Sequence, residues 1–593
     1  MDSDSLKKIW IKRILSYIWK KYMTEKIYFV LLFISRIAVA FVGILPALYY
    51  KKIIDLISWF LQWDKSNITA QAIGILFIIL WIKIIWVFTY RVSDFLIINL
   101  SPNIMRKIYL ETFDYTQRHS FRFFANNFTW SLIKKINKFV GAYDNITDIL
   151  VFDISSVLFN SIFVIIIVAQ ENILLSLIFI VWIVVFIIVQ YFLYRWNYPY
   201  EVYVNWIDSK LSWVLSDTIT NNFNIKTFAS LHREIKIFDE IVSLRRNKSK
   251  IKRYRWMLIW SITWLMMVWL EFIIFYFAIK LRDKNLITIW VFVLLQLYVF
   301  RIMDQMWSIS NVFRHLYKSF GEMSEMMEIL DQEHEVKDLT TDKLKVESWK
   351  IEIDNINFAY ADWKNIFENL SLKIKPGEKI AIVWQSWSGK TTIVKLLFRF
   401  FDIQSWDILI DWQNIANVTQ ESLRWSISMV AQDPILFHRS LKENICYGDP
   451  HATTEQIIAA SKMARCHEFI MSLKDGYDTL VGERWIKLSW WERQRVAIAR
   501  AILENKRIIV LDEATSSLDS ESEKLIQDAM DEVLRNKTAI VVAHRLSTIM
   551  KMDRIIVMEK WKIIESWSHK ELLANTNSMY KKFRDIQSWW FIE

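Results

Sequence analysis

Lys379-Ile-Ala-Ile-Val383-Trp384-Gln385-Ser386-Trp387-Ser388-Gly389-Lys390-Thr391-Thr392 is the stretch on which the fold turns. Its first five residues form an apolar, β-branched run suited to a buried strand, and Ile393–Phe400 behind it has helical patterning. Strand, loop, Gly-Lys-Thr and helix, in that order, is the layout of a phosphate-binding loop. Backbone N–H groups and a helix N-terminus there surround phosphate oxygens, the lysine reaches the outer phosphates, and a hydroxyl ligates Mg²⁺. One residue departs from the layout. Glycine is wanted at 384, and tryptophan stands there.

A lone Gly-Lys-Thr is weak, so the remainder of such a site has to lie elsewhere in the chain. Arg507-Ile-Ile-Val-Leu-Asp512-Glu513 is an apolar strand ending in two carboxylates: Asp512 is placed to hold Mg²⁺ through water, Glu513 to polarise the attacking water. Around it, in chain order, lie Tyr360, Gln432-Asp-Pro434, Ser489-Trp490-Trp491-Glu492, Ser517-Leu-Asp519 and Val542-Ala-His544-Arg545. Short β-branched runs at Ile351–Phe358, Lys379–Val383, Ile408–Ile410, Ile508–Leu511, Ala539–Ala543 and Ile555–Met558 alternate with amphipathic helices. That alternation predicts an α/β domain on a largely parallel sheet. It occupies 349–593, behind a polar linker at 331–348.

The first 330 residues read differently. Six apolar stretches, Ile27–Tyr50, Ala72–Leu100, Ile149–Ala169, Ile173–Tyr194, Met257–Ile279 and Leu286–Trp307, each have about the 20 residues a helix needs to cross a bilayer. Lysines and arginines crowd the N-terminus and the segments after the second and fourth stretches, whereas Gln170-Glu171-Asn172 carries none. The positive-inside bias then puts both termini and the two long segments (101–147 and 195–255) in the cytoplasm of a multi-pass protein of the cytoplasmic membrane. Apolar periodicity in those segments predicts that the spans continue as cytosolic helices. The net charge of +11 is thereby topological, and no nucleic-acid partner is expected. Two cysteines, Cys446 and Cys466, read as reduced thiols rather than a disulfide framework. With 53% hydrophobic and 23% charged residues, a wholly soluble enzyme, a disordered chain and a disulfide-rich secreted domain are poor fits.

With these motifs in this order, the chain resembles an ATP-binding cassette exporter half-transporter: six spans fused to one α/β P-loop nucleotide-binding domain. The resemblance implies the following roles. Glu513, His544, Lys390 and Gln432 carry hydrolysis; Thr391, Gln432 and Asp512 hold Mg²⁺. ATP is held by the loop Trp384, Gln385, Ser386, Trp387, Ser388, Gly389, Lys390, Thr391 and Thr392, with Tyr360 stacked on adenine. The signature Ser489, Trp490, Trp491 and Glu492 of a second half-transporter, identical or not, closes the site. Helical bends near Phe121–Trp130 and Asp217–Phe228 would pass the motion to the spans. The implied activity is ATP-driven export or flipping of a lipid, drug, peptide or other amphipathic substrate by alternating access. Only 26 residues precede Ile27, so no peptidase-like domain is expected ahead of the spans. Arg36, Glu271, Arg301 and Asp304 fall inside the spans, where charge either lines a cavity or forms a structural ion pair.

The departures from the family share one direction. Glycine is expected at 384, 387, 406, 412, 485, 490, 491, 561 and 567, and all nine are Trp; Trp130 belongs to the same set. The chain holds 9 glycines, where ordinary usage gives about 42, and 31 tryptophans. Trp is poor in the positive-φ conformations glycine adopts, and an indole fills the space where backbone meets phosphate. One cause accounts for the pattern: UGA codons that the source reads as glycine, translated here as tryptophan. If the tryptophans are genuine, the sequence instead describes a non-hydrolysing pseudo-transporter or regulatory membrane protein.

Overall fold

The computed structural model describes residues 3–59, 65–288, 290–360, 366–384, 390–403, 405–482, 488–512, 520–542, 546–559, 561–575 and 577–589. It divides into two compact units: Met1–Gln117 with Phe128–Gln332, and Arg118–Asn127 with Glu333–Glu593. In chain order the helices up to residue 331 are α1 (Ser3–Tyr22), α2 (Lys26–Trp59), α3 (Lys65–Gln117), α4 (Phe121–Asn126) and α5 (Thr129–Asp148). After a π-helical stretch, Ile149–Ile154, come α6 (Ser155–Glu171), α7 (Ile173–Thr220), α8 (Asn222–Thr227), α9 (Leu231–Asp283) and α10 (Val291–Asp331). Helix α4 belongs to the second unit and the others to the first.

The first unit is entirely helical. Five stretches, Ile11–Leu56, Thr69–Gln117, Thr129–Glu171, Ile173–Thr220 and Leu231–Asp283, are long and apolar enough to cross a membrane. The sixth crossing expected from the sequence lies in α10, whose apolar half is diluted by Gln296, Arg301, Asp304 and Gln305. Trp81, Phe88, Phe95 and Phe192 are among many large apolar side chains more than 60% exposed, an arrangement that suits hydrocarbon and not water. Asn172 starts α7 by accepting a hydrogen bond from the Leu174 N–H (2.9 Å), which allows the tight turn after α6. The expected continuation of spans into long helices is seen: α3 runs on to Gln117, α7 to Thr220, and α9 starts at Leu231.

Among the described residues the second unit holds ten strands: β1 (Ile351–Phe358), β2 (Phe367–Ile374), β3 (Lys379–Trp384), β4 (Ser405–Ile410), β5 (Gln413–Asn414), β6 (Ile427–Val430), β7 (Ile508–Asp512), β8 (Thr538–Val542), β9 (Arg554–Glu559) and β10 (Lys562–Trp567). They form two sheets, not one. One has the order β2-β1-β4-β5 and is antiparallel throughout; the other has the order β10-β9-β3-β8-β7-β6 and is parallel except for the β9–β10 hairpin. The six-stranded sheet is the largely parallel one expected from the sequence, and the antiparallel sheet stands beside it as an addition. The β2 burial pattern alternates as an antiparallel strand with one covered face should, whereas β7 and β8 are buried at every residue. Periodicity separates those two behaviours only after burial is known.

Residues 333–350 contain no helix or strand but are pinned. Arg399, 2% exposed, donates to the Lys337 carbonyl (2.9 Å), and the Asp411 carboxylate accepts from the backbone N–H groups of Glu347, Ser348, Trp349 and Lys350. Helix α4 packs within the same unit: the Phe121 ring stacks on Phe400 (5.4 Å, 16°), and Ser120 Oγ donates to Glu335 (2.5 Å).

Candidate functional site

In the parallel sheet β3 lies between β9 and β8, and β8 pairs with β7 so that Asp512 stands opposite Val542. The carboxyl ends of β3, β7 and β8, at Trp384, Asp512 and Val542, therefore open on one edge of the sheet. This is where parallel α/β sheets place their ligands. Helix α11 (Lys390–Leu397) begins six residues beyond the end of β3, so Lys390 and Thr391 open a helix whose N-terminus carries the partial positive charge that favours phosphate. Asp512 is 6% exposed at the strand end. Its carboxylate is an oxygen ligand of the kind Mg²⁺ takes, and the helix N-terminus suits the phosphate rather than the metal.

Thr392, also 6% exposed, shares a hydrogen bond with the Tyr360 hydroxyl (3.3 Å). The Tyr360 ring is held edge-on by Phe358 (5.0 Å, 80°) and Phe401 (5.1 Å, 84°). The structure thus joins Tyr360 to the phosphate-loop helix across 32 residues of chain, and one half-buried ring face belongs to the site's surroundings.

The signature helix, Trp490–Glu504, starts with a complete capping box. The Ser489 hydroxyl accepts from the Glu492 N–H (3.3 Å), and the Glu492 carboxylate accepts from the Ser489 N–H (2.7 Å). Ser489 and Glu492 are thereby fixed at the mouth of the helix. Trp490 and Trp491 fit its first turn without backbone strain, pack on each other edge-to-face (4.5 Å, 79°), and lean on the adjoining core. The Trp490 Nε1–H donates to Asp433 (3.0 Å), the neighbour of Gln432, and Gln432 itself is exposed just past the end of β6. Two indoles consequently stand on the helix N-terminus that an approaching phosphate would meet.

Gln385, Ser386, Trp387, Ser388, Gly389, Trp485, Glu513, Ser517, Asp519 and His544 lie outside the described residues, as do the side chains of Trp384, Lys390 and Thr391. What the structure brings together are Tyr360 and Thr392, the backbone starts of α11 and the signature helix, and Asp512 at the sheet edge.

Backbone conformation divides the seven suspect tryptophans that lie among the described residues. Trp412 (φ +69°) and Trp561 (φ +70°) occupy the left-handed region that favours glycine. Trp490 and Trp491 are helical, and Trp384, Trp406 and Trp567 lie in strands, so strained φ does not apply to them; at the signature only side-chain volume argues for glycine. Trp349 (φ +66°) was missed by motif reading because it precedes β1 outside any motif. The signal was legible only in its neighbours, since Asp411 accepts from four successive N–H groups there and forces the turn.

Comparison with known proteins gives the family. The ABC transporter model matches residues 367–516, and the ABC transporter transmembrane region model matches residues 29–306. ATP-binding cassette sub-family B member 6 of Xenopus tropicalis is 32% identical over 492 residues, 82% of this chain and 58% of that protein. An uncharacterized ABC transporter ATP-binding protein of Haemophilus influenzae is 45% identical over 283 residues, 47% of this chain and 46% of its own length. The chain thus spans about half the length of these curated relatives. Among solved structures, a bacterial Atm1-family ABC exporter with ATP bound superposes with a TM-score of 0.85 at 28% identity, covering 95% of this chain and 98% of that one. With the transmembrane region and the nucleotide-binding region both matched on a single polypeptide, the chain belongs to the ATP-binding cassette exporters.

Proposed function

We propose that this chain couples ATP hydrolysis to the export or flipping of an amphipathic substrate across the cytoplasmic membrane, with both termini and the nucleotide-binding region (349–593) in the cytoplasm. The observation that carries the reading is the shared sheet edge at Trp384, Asp512 and Val542. Asp512 and Val542 end their strands there, and Glu513 and His544 follow those ends closely in the sequence. ATP bound there with Mg²⁺ would have its terminal phosphate beside Lys390 and Thr391, its metal beside Thr391, Gln432 and Asp512, and its adenine on Tyr360. Bound Mg²⁺ would neutralise charge developing on the phosphates. Glu513 is the residue to polarise the attacking water, and His544 to orient the phosphate.

One nucleotide-binding region supplies half of each composite site, so a second half-transporter, the same chain or a paired one, closes the site with its own Ser489–Glu492 segment. The short helices α4 and α8 stand where bends were expected, and α4, packed through Phe121 and Ser120, is the first candidate to relay closure. Alternating access then follows from closure on ATP and separation on phosphate release.

The same reading requires glycine in the natural polypeptide at the family positions printed as Trp. Positive φ at Trp412 and Trp561 supports it, and Trp349 joins the set. Two measurements test the whole. Mass spectrometry of the native protein is expected to find Gly at 490 and 491; a tryptic peptide with two tryptophans would overturn the decoding. Glycine-bearing protein in proteoliposomes is expected to hydrolyse ATP and to lose that activity with Glu513→Gln; an inactive protein would leave the regulatory, non-hydrolysing reading.

A further inference from the structure

Two arginines in the apolar stretches, Arg36 and Arg301, have only neutral partners among the described residues. Arg36 on α2 is 5% exposed; its Nη2 donates to Ser156 Oγ (2.5 Å), its Nε to Ser155 Oγ (3.4 Å), and its Nη1 has no partner among the described residues. Arg301 on α10 donates through Nε and Nη2 to Asn160 Oδ1 (3.2 and 2.9 Å) and through Nη1 to the Gly43 carbonyl (2.6 Å). The Gly43 position has no room for a Cβ, which would lie 2.8 Å from Arg301 Nη2, so the chain admits the guanidinium by omitting a side chain. Gly43 lies seven residues past Arg36 on α2, so the two guanidinium sites are separated by about 10 Å along that helix.

The sequence left open whether these charges form ion pairs. Among the described residues they do not: Asp94 and Asp153 act on Arg36, and Asp304 on Arg301, only from beyond ion-pair distance. Glu271, the other carboxylate in the spans, accepts instead from Gln296 Nε2 (3.0 Å). Three more polar atoms along the same helices lack partners although their residues are buried: Ser161 Oγ on α6, and Tyr298 Oη and Gln305 Oε1 on α10. Tyr298, Arg301 and Gln305 recur at helical spacing on one face of α10. The π-helical stretch Ile149–Ile154 ends immediately before Ser155 and Ser156; such segments recur at functional sites because they re-aim the residues that follow.

A helix staple does not need this chemistry. Hydrogen bonds to serine, asparagine and a backbone carbonyl could be made by glutamine, without the cost of placing charge in hydrocarbon; the Tyr90 and Phe152 rings near Arg36 (5.6 and 5.1 Å) offset that cost in part but leave its Nη1 open. An arginine fork with an open donor is instead matched to an oxyanion, which takes two parallel N–H bonds and neutralises the charge. We infer that the Arg36–Ser156–Asn160–Arg301 seam between α2, α6 and α10 is an anion-recognition site, taking the carboxylate, phosphate or sulfonate headgroup of the cargo. On α10, Gln296 and Arg301 are half-buried and Asp304 is exposed. The seam rests on the export reading only for the word cargo; the site itself needs no motor.

The test measures binding without nucleotide, by calorimetry on the full-length protein in phosphatidylcholine nanodiscs, corrected with empty nanodiscs. Laurate, dodecyl phosphate and dodecylsulfonate are compared with laurate methyl ester and dodecyltrimethylammonium, which keep the chain and change the charge. The anions are expected to bind saturably, with affinity falling about tenfold or more in Arg36→Gln and in Arg301→Gln, and less in Arg301→Lys. Acetate and inorganic phosphate form the chainless arm: saturable binding there identifies a water-soluble anion as the source, and its absence identifies an amphiphile headgroup, both upholding the site. Equal affinity for laurate and its methyl ester, or unchanged laurate binding in the R36Q/R301Q double variant, overturns it. The acid-against-ester comparison uses unmodified protein and decides even where a variant fails to assemble. An ATPase that treats acid and ester alike keeps the motor and loses the site; a protein without ATPase that discriminates them keeps the site and loses the motor.

Discussion

The turn after β4 and the first turn of the signature helix carry the same printed residue and respond to it in opposite ways. At Trp412 the backbone sits at φ +69° and the ring is 70% exposed, lying over Lys350 (3.7 Å), so the cost falls on the main chain and the side chain has room. At Trp490 and Trp491 the main chain is an ordinary capped helix, and the cost falls on the space above it. A glycine is wanted in the first place for conformation and in the second for emptiness. Gly482, at φ +137° with His438 where a Cβ would be, shows both demands met at once by a glycine that is printed.

That contrast sets out what to measure, beginning with the largest effect. Glu513→Gln in glycine-bearing protein is expected to lower ATPase by about 10²-fold or more with little change in thermal stability, since it removes the group that activates water and leaves the sheet intact. Next, protein made with Trp at 490 and 491 is expected to hydrolyse ATP about 10²-fold more slowly than the glycine-bearing form, while melting within a few degrees of it. Equal ATPase in the two forms would mean that the signature N-terminus need not be bare.

Asp411→Asn is expected to destabilise the second unit by about 2 kcal/mol at neutral pH, because a carboxylate accepting four backbone N–H bonds and the Ser348 hydroxyl is replaced by an amide that accepts fewer. Burial by itself would raise the Asp411 carboxyl, but the bonds from Ser348, Trp349, Lys350 and Glu347 outweigh it and hold the group below its ordinary value. A lowered folded-state value means that the stabilisation is complete above the unfolded carboxyl's range and fades as pH falls through the folded one. The melting difference between wild type and Asp411→Asn should accordingly shrink below about pH 4, and a difference constant from pH 7 to pH 3 would contradict the assignment.

The smallest effect is the most diagnostic of the contrast. Comparing Gly with Ala at each position removes the indole from both sides of the measurement. At 412, Gly should be more stable than Ala by about 1 kcal/mol, the ordinary penalty for a Cβ in the left-handed region. At 491, Ala should be more stable than Gly by about 0.5 kcal/mol, because the helix gains nothing from glycine's freedom. Chemical denaturation of the four variants reads both signs, and the same sign at both positions would erase the distinction.

The local signals were legible because they depend on neighbours in the chain. Strand β1 was placed at Ile351–Phe358 from its β-branched pattern, and the strand before the phosphate loop from five apolar residues followed by Gly-Lys-Thr. Strands β2 and β6 went unrecognised: Phe367–Ile374 alternates polar and apolar too evenly to read as a buried run, and Ile427–Val430 is four residues long with Ser428 inside it. The seven ordered motifs of the nucleotide site were read from spacing. Trp349 was not, since the turn that makes it unusual is imposed by Asp411, 62 residues away.

By itself, the sequence determined that the first half crosses a membrane and that the second binds phosphate, since apolar length and the strand–loop–helix order are properties of contiguous residues. It also marked the positions where the family has glycine and tryptophan stands, through their place in ordered motifs. The tertiary structure decided the rest: that β1, β2, β4 and β5 leave the parallel sheet to form their own, which glycine positions are conformational and which steric, and that Arg36 and Arg301 face serines, asparagine and a carbonyl rather than carboxylates. Those are contacts between residues 120 to 258 positions apart in the arginine seam, and side-chain spacing along a chain carries no record of which distant group a folded helix will meet.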